Sequence, residues 1–298
     1  MSWKFNYKRF KFSLFYLRFI NTFLDRQTNM KYLKPTRLFK ALLLGFPFYA
    51  LAIPKPWLAV PVIDPMGYIR NVMCEKENNF AIVEGDILVK EYGKFNPHHE
   101  KAAILQKLGG GRWPKGQVPY TFDPDLPELT KKSILLAMQI WEMHTKIHFE
   151  KIEPEQTFTA DYIIFMPDKD QRCSSYVGRQ GGIQPVLLAS RCSTMNIVHE
   201  LGHTIGLWHE QSRLDRDAYV RIMWENINEL YWYNFNQHIT DGRDYDEYDY
   251  QSIMHYSAYA FSKNHLQTIV PIQRDVEIGQ RQFLSSKDIA AANVMCED

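Results

Sequence analysis

The chain has 298 residues, of which 45% are hydrophobic, and its 35 Lys and Arg against 34 Asp and Glu leave a formal net charge of +1. That length holds one or two domains around a sizeable core. So even a balance, with a pI near 7.7, gives no support to a nucleic-acid partner or to a hold on an anionic membrane surface.

Residues 1–29 are basic and aromatic and read as an upstream extension, because Met30 opens a complete secretory signal by itself. Residues 41–52 (ALLLGFPFYALA) follow Lys31, Lys34, Arg37 and Lys40 and close on Ala50-Leu51-Ala52. A basic leader, a short apolar run and small residues at its end describe a signal peptide over 30–52, cleaved after Ala52. The run is broken by Pro47 and falls short of the roughly 20 apolar residues a membrane span needs. The expectation is a secreted, extracellular protein with no stable membrane association.

Residues 53–101 show little periodicity and carry Pro and charge early on. Val83-Glu84-Gly85-Asp86-Ile87 reads there as a turn between apolar runs. Phe95-Asn96-Pro97-His98-His99-Glu100-Lys101 reads as exposed and cleavable, with His98 and His99 as solvated loop residues. From Ala102 the pattern becomes that of a folded domain running to residue 298. A strand is expected over 118–122 after the Trp113-Pro114-Lys115-Gly116 turn. A helix over 127–146 presents Ile134, Ala137, Met138 and Trp141 as a core-facing stripe. Further strands are expected over 147–149 and 162–166 and a loop over 179–182. Ser193 or Thr194 is the candidate N-cap of the next helix.

That helix carries His199-Glu200-Leu201-Gly202-His203-Thr204-Ile205-Gly206-Leu207-Trp208-His209-Glu210. Histidines four apart project from one helix face and can hold one metal ion, for which two imidazoles suit Zn²⁺. Gly206 can take a positive φ, end the helix and return His209 as a third ligand. Three protein ligands leave a position open, the mark of a catalytic site, and Glu200 stands where a general base belongs. A chance run of three histidines on a hydrated face explains the added Gly and His at fixed offsets poorly. Strands and a long helix before this helix, then a less regular C-terminal part, predict an α+β fold of two subdomains across a cleft with the zinc on its floor.

The four cysteines allow three pairings. An oxidising compartment favours a bridge such as Cys173–Cys192, which would hold the segment ahead of the zinc helix.

With these motifs read, residues 75–298 resemble the astacin family of zinc endopeptidases, a branch of the metzincins within the zincin fold. The resemblance rests on Glu210 after the third histidine and on Ser252-Ile253-Met254-His255-Tyr256, which matches the family's Met-turn. It rests also on the stretch from Cys173 to Gly182 and on Ile278-Gly279-Gln280-Arg281. It implies that Met254 underlies the metal and that Tyr256 is a switchable ligand able to steady an oxyanion. It implies that residues 53–101 are a propeptide whose Asp86 occupies the zinc until an activating protease removes it, with Val83 where Phe is usual. It implies that the new N-terminal ammonium, after a cut near Lys101, pairs with Glu210. The family's cysteine near the start of the strand after the first long helix is Lys146 here, so Cys296 either stays a thiol or pairs with Cys74.

The expected protein is a monomeric endopeptidase acting on proteins or peptides with one Zn²⁺ and no nucleic acid. Arg281 either lines the pocket for an acidic side chain after the scissile bond or makes a surface salt bridge. The rival from another class is a catalytically silent secreted binding protein. A closer rival, another metzincin such as a matrix metalloproteinase, is opposed by Glu210 and Tyr256.

Overall fold

The computed structural model describes residues 57–63, 69–77, 79–91, 106–107, 110–152, 161–169, 172–238 and 242–296, all within one compact unit, Pro54–Asp298. The signal peptide, residues 1–29 and Lys101 lie outside them.

The segment whose sequence shows little periodicity forms a sheet. Strands β1 (Trp57–Ile63), β2 (Ile69–Glu77), β3 (Phe80–Val83) and β4 (Ile87–Glu91) run antiparallel in sequence order, and β5 (Gln106–Lys107) joins β1 in parallel. Both faces of its β3–β4 end are covered, which is why no alternation shows in the sequence. Ala81, Val83, Ile87 and Val89 pack in one apolar cluster with Val177 and Trp208. Ile82 and Leu88 pack in another with Tyr176 and Leu187.

A second sheet has β6 (Gln117–Phe122), β7 (His148–Lys151), β8 (Tyr162–Pro167) and β10 (Ile183–Leu188) parallel. The short β9 (Cys173–Ser174) is antiparallel at the edge, in the order β7-β6-β8-β10-β9. Helix α1 (Glu128–His144) buries Ile134, Ala137, Met138 and Trp141, the stripe its sequence predicts. Trp141 is fully buried and donates its indole N–H to Val198 O at 2.9 Å, fastening α1 to α2 (Thr194–Ile205). Trp141→Ala is expected to cost about 3–5 kcal/mol from the cavity it leaves. Chemical denaturation checks this, and an unchanged midpoint would show that α1 is held elsewhere.

The C-terminal part has its own core, built on Val220, Ile227, Phe235, Tyr248, Tyr256 and Ile269. It contains the antiparallel pair β11 (Val220–Ile222) and β12 (Ile269–Pro271) among several short 3₁₀ segments. It ends in α3 (Ser286–Met295), capped by Ser285 and Asp288. Asp288 also accepts from Ser252 Oγ at 2.7 Å and from Ile253 N at 2.9 Å, tying α3 to the loop that carries Met254. The expected α+β architecture of two lobes is therefore present. Among the described residues no helix is long and apolar enough to cross a membrane.

Cys173 and Cys192 are bridged, with Cα atoms 6.0 Å apart, and so join β9 to the segment before α2. The pairing of Cys74 with Cys296 is not made. Cys74 is buried inside the first sheet with its Sγ 3.6 Å from Val72 O. The Cys296 thiol donates to Ala292 O at 3.3 Å at the end of α3.

Candidate metal centre

Ser193 accepts from Asn196 N and Asn196 closes the capping box, which fixes where α2 starts. His199 and His203 then fall on one face. Gly206, at φ 129°, ends the helix and turns the chain back, so that His209 reaches the same point. Each imidazole is oriented through Nδ1. His199 donates to Ile253 O at 2.8 Å and His203 to Leu207 O at 2.8 Å, while His209 Nδ1 lies 2.6 Å from a carboxylate oxygen of Glu84. A carbonyl can only accept, so in His199 and His203 the Nε2 lone pair is left to face inward.

Asp86 enters this point from the β3–β4 turn. Its Oδ2 is 3.3 Å from Nε2 of both His199 and His209, and its Oδ1 is 3.8 Å from Nε2 of His203. One ligand atom from each of the four residues lies within 4.8 Å of the others. His203 Nε2, His209 Nε2 and Asp86 Oδ1 are buried with no hydrogen-bond partner. Orphaned buried donors and acceptors are rare unless something unseen satisfies them. A cation fits, and three imidazoles with one carboxylate are a zinc donor set. The charges agree. Burial holds His203 well below its usual value, in the neutral form a metal needs. Burial also works against charge on His209, but Asp86 and Glu84 outweigh it and raise that imidazole to about 9.

A family model described as Astacin, a peptidase family, matches residues 106–297. The chain belongs to the astacin family. Among curated relatives it is 40% identical over 187 residues to zinc metalloproteinase nas-13 of Caenorhabditis elegans, covering 62% of this chain and 40% of that protein. It is 38% identical over 230 residues to nematocyst expressed protein 6 of Nematostella vectensis, covering 73% and 77%. The chain thus spans well under two thirds of the first of these relatives. Among solved structures it resembles high choriolytic enzyme 1, a hatching enzyme zinc-protease from the medaka Oryzias latipes. That likeness has a TM-score of 0.56 and 36% identity, and covers 63% of this chain and 94% of that one. The fold is thereby the metzincin fold of the astacins, and the cofactor that fits the four-residue cluster is the family's single zinc.

The other residues singled out by the astacin resemblance gather round the same point. Glu200 is buried beside His199. Ser175 Oγ lies 2.8 Å from Glu200 O and 3.1 Å from Glu200 Oε2. Burial first, then the charge of Asp86, pushes the Glu200 carboxyl well above its ordinary value. Met254 lies under α2, where Gly202 makes room. A Cβ at Gly202 would stand 2.6 Å from Met254 Sδ. The Tyr256 ring is 4.5 Å from that of His209, and its hydroxyl donates to Glu84 O. Glu210 Oε1 accepts from Asp249 N at 2.7 Å, and burial raises its carboxyl to about 8. Arg281 donates to His255 O at 3.0 Å and lines a cavity of about 380 Å³ with Asp86, Tyr256 and Phe261. His255 is structural, its Nε2 2.6 Å from Tyr248 OH.

A second cavity, also of about 380 Å³, is lined by Arg172, His199 and Glu200 of one lobe and by Tyr231, Phe261 and Arg281 of the other. Gly85 and Asp86 reach into it between them, so His199 and Glu200 face the cleft the sequence predicts.

Three residues escaped sequence reasoning. Ser175 and Asp288 give no local sign of their partners, 25 and 35–36 residues away. Glu84 was visible only as the neighbour of Asp86. Its φ of 50°, unusual for a residue with a Cβ, turns its carboxylate back onto His209, Ser212 and His238. Burial alone would raise that carboxyl, but His238 and His209 hold it down to about 2.

Proposed function

We propose that this chain is a secreted zinc endopeptidase, made as a zymogen, that hydrolyses peptide bonds in proteins. The observation that carries the reading is the Asp86 carboxylate, delivered by a separate N-terminal sheet to the point where three histidine Nε2 atoms converge. A substrate carbonyl needs that place. The sheet is fastened there along the open edge of β9. Ser175 N donates to Asp86 O at 3.0 Å and Leu88 N to Ser175 O at 2.8 Å. Arg172 adds bonds to Gly85 O at 3.1 Å and to Glu75 Oε2 at 3.0 Å.

His199, His203 and His209 hold the metal, and bound zinc supplies Lewis acidity to the scissile carbonyl and makes water easier to deprotonate. Once the sheet departs, Glu200 loses the neighbouring charge of Asp86, which favours its carboxylate form. It takes a proton from the attacking water and passes it to the leaving amine. Ser175 keeps the carboxylate pointed at the cleft. The Tyr256 hydroxyl, released from Glu84 O, donates to the developing oxyanion. Arg281 offers its charge to an acidic side chain after the scissile bond. The ammonium freed by the activating cut pairs with Glu210.

The test is hydrolysis of a quenched-fluorescent peptide library before and after limited proteolysis of the zinc-loaded chain, with and without a chelator. Hydrolysis should appear only after the cut and disappear with the chelator. A cut, zinc-replete chain that attacks no peptide sinks the reading. Asp86→Ala should give the uncut chain measurable hydrolysis where the wild type has none. If both stay silent, another part of the sheet closes the cleft.

A further inference from the structure

Two of the three histidines are oriented by main-chain carbonyls outside the N-terminal sheet, Ile253 O and Leu207 O, and the third is not. His209 Nδ1 meets a carboxylate, Glu84 Oε2 at 2.6 Å, and that carboxylate belongs to the N-terminal sheet. Glu84 is 3% exposed and every polar group it has is engaged. Its Oε1 is 2.5 Å from His238 Nε2 and 3.1 Å from Ser212 Oγ, its N–H donates to Asn234 Oδ1 at 2.9 Å, and its carbonyl accepts from Tyr256. His238 is itself held, stacked on Trp208 with ring centroids 3.9 Å apart. A left-handed φ at a non-glycine residue persists only where its surroundings over-determine it, and here they do.

We propose that Glu84 is a positioning residue for the metal: the uncut chain supplies His209 with an outer carboxylate that strengthens the hold on zinc, and the mature enzyme gives it up. A carboxylate on the far nitrogen of a ligating imidazole fixes its tautomer and makes it a better donor, and losing such a partner weakens metal binding about 10–100-fold. The sheet therefore acts twice, placing Asp86 on the metal and Glu84 behind one of its ligands. The inference rests on the reading of the histidines as a zinc site.

The test uses the full uncut chain carrying one zinc per molecule, with transfer of zinc to a fluorescent chelator as the readout. Glu84→Gln keeps shape and volume, and it should release zinc to the chelator at about 10–100-fold lower chelator concentration than the wild type. The same substitution made in an Asp86→Ala background separates the two roles of the sheet. There the shift should persist, because it acts through His209. Equal retention by wild type and Glu84→Gln overturns the proposal, as does a shift that vanishes in the Asp86→Ala background, since Glu84 would then only hold the turn in place. If Glu84→Gln does not fold, Glu84→Asp, which withdraws the carboxylate from Nδ1, puts the same question with the same expected direction. A wild-type chain that takes up no zinc defeats the metal site itself, a separate failure.

Discussion

Glu200→Gln in the cut chain should keep its zinc and lose turnover by about 10²–10⁴-fold, the range for removing a positioned acid–base group. The amide has the volume of the acid, so the packing against Ser175 survives and the neighbouring histidines are not disturbed. What it cannot do is accept a proton from water and return it to an amine. The loss should fall on kcat, with KM little changed, because Glu200 contributes to the transition state more than to substrate binding. Steady-state kinetics alongside metal analysis checks both halves. A variant that stays active refutes the assignment of Glu200, and one that loses its zinc shows that Glu200 supports the ligands instead.

Tyr256→Phe should lower kcat of the cut chain by about 10²–10³-fold, the usual consequence of removing one oxyanion donor. The ring keeps its packing on His209, Phe235 and Phe261, with centroids 4.5, 5.8 and 5.7 Å away, so the fold gives no reason for a larger disturbance. In the uncut chain the same change has another effect, because the hydroxyl there donates to Glu84 O. Leaving a buried carbonyl without its donor costs about 1–3 kcal/mol and should loosen the grip of the N-terminal sheet. The signature is a variant whose N-terminal sheet leaves faster once cut yet which hydrolyses peptides more slowly afterwards. If kcat is unchanged, the phenol is not the oxyanion donor.

The metal ligands were legible in the sequence because all three lie within eleven residues, where helical periodicity and one glycine decide the geometry. The stripe of α1 was legible for the same reason, since a period of 3.6 needs no knowledge of what it packs against. The N-terminal sheet was not. Its strands take their partners from other strands and are covered on two faces, so Ala81-Ile82-Val83 and Ile87-Leu88-Val89 carry no alternation to read. Glu84 was hidden more thoroughly, its partners standing 125, 128 and 154 residues away in sequence. Helix α3 was within reach, since Ser285 and Asp288 form a capping box, but a less regular C-terminal part was expected there.

Val177 and Trp208 have a further consequence. Both belong to the part of the chain that carries the metal site, yet both are packed in the apolar cluster of the N-terminal sheet with Val60, Cys74 and Val89. In the zymogen proposed above, an activating cut would sever one covalent link and remove none of these contacts. On that reading scission and departure are separate events, the first timed by the protease that makes the cut and the second by how fast water can wet the face of Val177 and Trp208. Between them the proposed zymogen would be nicked but still shut.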